Sequence, residues 1–249
     1  MTDPRNDDTP LDRHTIRGTN YGFSAVRIED LGATEYTLVC IAADCSASVT
    51  SFARQIETCI GEVVRSCRHS PRADNLLVRT TVFDNDVDEV HGFTALASLG
   101  PKRYDGAVKR GGCTALYDAG ENAVASITQY AATLGDADFD CNGIVFVITD
   151  GMDNASSADA QRLRDALAKA TGHDALESMV SILVGVGVGD DRVSRYLTAL
   201  RRDAGFDKYI ELRRADAKTL AKLAAFVSKS IASQSKALGS GAGARVVGF

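Results

Sequence analysis

No run of apolar residues in this chain approaches the roughly 20 that a membrane-spanning helix needs, so no membrane partner is expected. The opening residues, Met1-Thr2-Asp3-Pro4-Arg5-Asn6-Asp7-Asp8, lack an apolar signal core and carry several acids. A secretory leader is not expected, and a cytoplasmic location follows as the expectation. Basic charge is in short supply: 28 Lys and Arg against 33 Asp and Glu leave a net charge of -5. With an isoelectric point near 5.4, the chain is a poor match for nucleic acid. The six cysteines (Cys40, Cys45, Cys59, Cys67, Cys113, Cys141) form no C-x-x-C pair and show no zinc spacing, and they read as partly buried thiols in a reducing compartment. None of the four histidines, His14, His69, His91 and His173, stands at a suggestive spacing from a cysteine or serine, and all read as surface residues. There is no internal repeat and no phosphate-binding G-x-x-x-x-G-K. Gly185-x-Gly187-x-Gly189 brings its third glycine one residue too early for a dinucleotide loop, and Asp190-Asp191 would repel a pyrophosphate.

What is present fits one large α/β domain. The 249 residues are 45% hydrophobic and 24% charged, close to globular averages. Residues 1–20 are polar and read as a flexible arm, 21–235 as the domain, and 236–249, rich in Gly, Ala and Ser, as a flexible tail. Within the domain, apolar strand-like runs at 36–43, 75–83, 143–149, 179–186 and 209–212 alternate with helical periodicity from 49 to near His69-Ser70-Pro71 and at 114–134, 158–170, 191–204 and 217–233. A short extra or edge strand is predicted at 23–28. Asp84-Asn85-Asp86 is a turn signal, after which 87–93 returns as an antiparallel edge strand. Residues 94–113 read mostly as loop. Apolar strands alternating with helices indicate a doubly wound, mostly parallel sheet with helices on both faces.

The stretch around which the chain is organised is Val39-Cys40-Ile41-Ala42-Ala43-Asp44-Cys45-Ser46-Ala47-Ser48, an apolar strand that stops on an acid followed by two spaced hydroxyls. The strand 143–149 likewise stops on Asp150, and Thr114 opens a helix after a glycine-rich loop. Open α/β sheets place ligands beyond the carboxyl ends of their strands. Asp44, Ser46, Ser48, Thr114 and Asp150 therefore form a candidate site of hard oxygen donors for magnesium, or manganese. Two carboxylates neutralise such an ion formally, and hydroxyls add no charge. The ion would remain electrophilic and would accept one more carboxylate from outside. Read singly, Ser46 and Ser48 are also suitable as helix caps. Asp118 could cap its helix or support the ligands from behind, but reads as solvent-facing structure, and Asp153 and Asn154 either border a partner surface or make a simple turn. Cys45 and Cys113 flank candidate ligands as small packing residues or a redox pair.

Asp44-x-Ser46-x-Ser48, Gly111-Gly112-x-Thr114-x-Leu116-Tyr117-Asp118-Ala119 and Ile148-Thr149-Asp150-Gly151 resemble, in order and context, the three parts of the metal-ion-dependent adhesion site of von Willebrand factor A domains. The resemblance covers residues 35–233. It implies a six-stranded sheet with one antiparallel edge strand, and a metal-dependent protein-binding domain, not an enzyme, in which a partner's Asp or Glu completes the coordination. For bacterial intracellular members it implies work alongside AAA+ ATPases or in stress-response systems. One departure is Cys113, which stands between Gly112 and Thr114 where many members run directly from Gly to Thr. The alternative reading is a metal-dependent hydrolase, such as a phosphatase with Asp44 as nucleophile. There Ser46 occupies the place of the second acid that such enzymes use.

Overall fold

Strands covered on both faces read as unbroken apolar runs, and the two longest such runs in this chain lie side by side at the centre of the molecule. The computed structural model describes residues 10–16, 19, 21–100, 103–108, 111–238 and 248–249. Its strands are Leu11–Thr15 (β1), Gly22–Val26 (β2), Glu35–Asp44 (β3), Leu76–Phe83 (β4), Val87–Ala95 (β5), Asp140–Thr149 (β6), Ser178–Val186 (β7) and Lys208–Leu212 (β8). Its helices are Ala53–Cys67 (α1), Leu116–Gly135 (α2), Ala160–Thr171 (α3), Asp191–Ala204 (α4) and Ala217–Ala237 (α5). They build one eight-stranded sheet in the order β1-β2-β5-β4-β3-β6-β7-β8. From β4 through β8 along that order the strands are parallel.

Alternation along β3 shows how the two faces are filled. Leu38, Cys40 and Ala42 face the core under α2, α3 and α4, whereas Val39, Ile41 and Ala43 face the core under α1 and α5. Each fully buried Val, Leu or Ile contributes about 1.5–3 kcal/mol, and this two-sided burial makes β3 and β6 the spine. The helices start where acids can hold their free N–H groups. Asp159, Asp190 and Asp216 cap α3, α4 and α5 by accepting from the N–H of Arg162, Arg192 and Thr219. Gly205, at φ 83°, ends α4 in the left-handed conformation that glycine adopts without strain.

The doubly wound, mostly parallel sheet is the predicted one, with two corrections. It has eight strands, not six, and the antiparallel strand β5 is internal. β5 pairs with β4 antiparallel, and β2 then joins its other side in parallel through Ala25 opposite Phe93. The edge is β1, which pairs antiparallel with β2 over five residues. Leu11–Thr15 is therefore a strand within the segment read as a flexible arm. Residues 1–9 lie outside the described residues, as do 239–247 of the tail. Of that tail, α5 continues to Ala237, and the Phe249 ring stands edge-on to Phe226 at 5.5 Å.

The added hairpin is held more by side chains than by its strand ladder. A Cβ at Gly92 of β5 would sit 2.1 Å from the Ser24 carbonyl oxygen, so β2 can approach this closely only where there is no side chain. Glu89 accepts from the Ser24 N–H at 3.1 Å and also from its hydroxyl. The same carboxylate takes the Arg79 Nε–H at 2.7 Å. Arg79 is 1% exposed; its Nη1 reaches Asn122 Oδ1 at 2.8 Å and Ser126 Oγ at 3.2 Å on α2, and its Nη2 the Gly22 carbonyl of β2 at 3.4 Å. A buried guanidinium is tolerated only while its partners are present.

Two histidines read as surface stand in packed surroundings. His14 stacks on Phe23 at 4.7 Å between ring centroids. His91, on β5, is 3% exposed. Its Nδ1 is 2.9 Å from the Gly92 carbonyl, which can only accept, so Nδ1 carries the proton and Nε2 accepts from the Tyr104 hydroxyl at 3.0 Å. Burial, with the Arg103 and Arg79 charges adding to it, lowers the His91 pKa to about 4.

Two predictions follow from these buried groups. Between pH 6.5 and about 4 the unfolded chain takes up a proton at His91 that the folded chain refuses, so stability falls as pH falls through that window. Urea unfolding at pH 7 and pH 5 should show a loss of about 2 kcal/mol attributable to this residue, and His91→Asn should flatten the dependence by that amount. An unchanged slope in the variant would exclude His91 as its source. Glu89→Gln should cost about 3 kcal/mol in guanidinium unfolding, because it strands the Arg79 charge in the interior. A cost below about 1 kcal/mol, the value of an exposed pair, would mean that Asn122 and Ser126 suffice.

Candidate metal centre

β3 ends on Asp44 and β6 on Thr149, and their parallel pairing, with Ala43 opposite Ile148, brings the two ends level. The sheet order reverses here, since β3 has β4 on one side and β6 on the other. α1 follows β3 to one face and α3 follows β6 to the other. Such a switch point opens a crevice beyond the strand ends.

Asp44 is wholly buried at 0% exposure. Its Oδ1 accepts the Ser46 N–H at 2.8 Å and its Oδ2 the Thr149 hydroxyl at 2.6 Å. Burial raises its pKa to about 6, the bonds from Ser46 and Thr149 pull it back, and the Asp150 charge adds to the rise. Burial also raises the Asp150 carboxyl, against a hydrogen bond from Ser48 that favours the ionised form. Two acids that are both costly to ionise, at adjoining strand ends, make a place where a cation would be favoured.

Ser46 precedes the short 3-10 turn Ala47–Phe52, yet its side chain makes no capping bond. Its Oγ lies 3.2 Å from Ser48 Oγ, and Ser48 Oγ donates to Asp150 Oδ1 at 2.8 Å. The hydroxyls thus face each other and the second acid, not the turn. The Thr114 hydroxyl is 3.8 Å from the point that a Cβ on Gly151 would occupy, which places it beside the residue following Asp150. All five sequence-predicted donors therefore converge on one edge. Among the described residues no group of three or more His, Cys, Asp and Glu is placed to hold a metal, so this low-charge set of two carboxylates and three hydroxyls stands as the candidate.

The loop before Thr114 turns at a glycine. Gly112 has φ +143°, a conformation L side chains rarely adopt. Its carbonyl accepts the Ala47 N–H at 3.3 Å, which ties this loop to the one bearing the serines. Cys113 is exposed and Cys45 buried. Gly187, with φ +70°, serves the turn between β7 and α4.

Sequence reasoning undervalued three residues here. α2 begins after Ala115, which offers no side chain to cap it. Asp153 supplies the missing acceptor, taking the Leu116 and Tyr117 N–H groups at 2.8 and 3.3 Å. Asn154 Oδ1 accepts the Thr114 N–H at 2.6 Å, and its own N–H donates to the Thr114 carbonyl at 3.0 Å. Asp118 is not solvent-facing but 3% exposed, accepting from the N–H of Ser157 and Ala158 at 2.9 and 2.8 Å and from the Tyr21 hydroxyl at 3.2 Å. A helix with no capping residue of its own was the available signal, because its first N–H groups must find acceptors elsewhere.

No protein-family model matches the chain, and no curated protein does. Several solved structures share its fold. The pilus adhesin SpaC from Lactobacillus rhamnosus GG, in an open conformation, matches with a TM-score of 0.61 at 12% identity, over 94% of this chain and 35% of that one. The PilB minor pilin from Streptococcus sanguinis matches at 0.58 and 12% identity, over 83% of this chain and 64% of that one. Proximal thread matrix protein 1 from the mussel byssus, described with a zinc-occupied MIDAS motif, matches at 0.55 and 17% identity, over 81% of this chain and 47% of that one. This chain therefore spans less than two thirds of each of them. What it has in common with them, at these identities, is a fold.

Proposed function

We propose that this chain is a von Willebrand factor A-type module that binds a protein partner through a divalent cation held by Asp44, Ser46, Ser48, Thr114 and Asp150. The observation that carries the reading is the spacing of the oxygens. Neighbouring ligands in an octahedron of about 2.0–2.1 Å radius lie about 2.9 Å apart. Ser46 Oγ to Ser48 Oγ is 3.2 Å and Ser48 Oγ to Asp150 Oδ1 is 2.8 Å. A bound ion would supply a Lewis-acidic centre for a carboxylate from outside. The chain's own residues do the rest. Asp44, fixed by the Ser46 N–H and the Thr149 hydroxyl, provides a buried negative charge that cannot swing away. Ser46 and Ser48 present oxygens without charge, and the half-buried Asp150 supplies the second negative group.

The zinc-occupied MIDAS motif of the byssus protein supports a divalent cation, and the hard oxygen donors favour magnesium or manganese. A bacterial cytoplasmic setting, with an AAA+ ATPase as a partner class, follows from the resemblance. No helix among the described residues is long and apolar enough to cross a membrane. The phosphatase reading fits the geometry less well. Ser46 stands where such an enzyme needs its second acid, and its hydroxyl faces Ser48, so no acid is placed there to protonate a leaving group.

Millimolar magnesium or manganese should raise the melting temperature. A hundredfold excess over Kd stabilises by about 2.7 kcal/mol, or roughly 5–10 °C in a chain of this size, and Asp44→Ala should abolish the shift. No shift in the wild-type chain would overturn the site. In pull-downs from a native host, partner capture should be lost on adding EDTA and with Asp44→Ala. Metal-dependent turnover of a phosphoester panel, lost in the same variant, would replace the binding reading with a catalytic one.

A further inference from the structure

The amides from Cys113 to Asp118 form an unbroken series of six, and every one is taken by a group outside their own loop. Cys113 N–H donates to Asn85 Oδ1 at 2.7 Å, Thr114 to Asn154 Oδ1 at 2.6 Å, and Ala115 to the Asp84 carbonyl at 2.7 Å. Leu116 and Tyr117 share Asp153 Oδ1, and Asp118 N–H reaches Ser156 Oγ at 3.1 Å. The acceptors come from two places, the turn after β4 and the loop after β6. Helix α2 begins its own ladder only at Ala119, whose N–H bonds the Ala115 carbonyl at 3.0 Å.

The bonds at Thr114 differ from the others because they run both ways. Asn154 Oδ1 accepts from the Thr114 N–H while the Asn154 N–H donates to the Thr114 carbonyl. This closes a ring between a candidate ligand and a residue four positions after Asp150. The brace is doubled in reverse by Asp118, which from α2 accepts the N–H of Ser157 and Ala158 on the same loop. Thr114 and Asp150 belong to segments far apart in sequence, yet a rigid bridge joins them that does not pass through Asp44 or the serines.

We propose that Asn154 is the positioning residue of the metal centre, holding Thr114 in fixed relation to Asp150 so that the two present their oxygens as one unit. The inference rests on the reading of Asp44, Ser46, Ser48, Thr114 and Asp150 as the metal site. Asn154 makes these bonds to the Thr114 backbone, so it acts through Thr114 and is not itself a ligand. Its side chain is also at the surface, so truncating it opens no cavity in the core. The Ala115 bond to the Asp84 carbonyl is indifferent to side chains and remains in any Asn154 variant.

The test is calorimetric titration of manganese alone into the full chain and its variants. Asn154→Ala should weaken binding by about tenfold, the upper end for one hydrogen bond. Asn154→Asp, which keeps an oxygen in the same place, should restore it. In a Thr114→Ala background, Asn154→Ala should have no further effect, because the pair acts through one oxygen. Wild-type affinity in Asn154→Ala, failure of Asn154→Asp to rescue, or an additive loss in the double variant would overturn the proposal. Failure of the site reading has a different signature: Asp44→Ala would then bind manganese as the wild type does, or the wild type not at all, and the proposal would fall with it.

Discussion

The register between β3 and β6 is the constraint on which the rest depends. Nine consecutive residues pair, from Glu35 opposite Asp140 to Ala43 opposite Ile148. A slip of one residue would exchange the faces that Val39 and Cys40 present to the two cores. It would also separate Asp44 from the Thr149 hydroxyl that holds it. The apolar alternation that specifies the fold therefore also sets the geometry of the strand ends, so that core and site are specified by the same residues.

Two buried charges in this chain are handled in opposite ways. Arg79 is enclosed by Glu89, Asn122 and Ser126 and serves the architecture, joining the hairpin, the sheet and α2. Asp44 is equally buried, but its partners are neutral donors, and its nearest charged neighbour in the site, Asp150, has the same sign. A fold that leaves a carboxylate so poorly compensated at the carboxyl edge of its sheet carries a local instability that a cation would relieve.

The central architecture was legible because burial on both faces writes itself as apolar runs, and because Asp44, Ser46 and Ser48 are spaced within five residues of one another. Of the hairpin only β2 was, as the short strand expected at 23–28; β1 and the pairing with β5 were not. β1 and β2 are short and amphipathic, and their place beside β5 depends on Gly92 and Glu89, more than 60 residues further on. His91 reads as exposed until Tyr104, 13 residues further on, packs against it. Asp118, Asp153 and Asn154 were undervalued for a related reason: their partners lie about 40 residues away along the chain, across a loop that no periodicity describes. Short-range patterns identify which atoms a site contains, and long-range hydrogen bonds determine where they stand.

Cys113 holds its thiol at the surface, while the other five thiols are buried. The chain contains no tryptophan, and so has no strong intrinsic fluorophore near the strand ends. An unaltered molecule thus offers a single addressable handle one residue before Thr114. A thiol-reactive dye would attach there by preference, beside the proposed metal centre, without any engineered substitution.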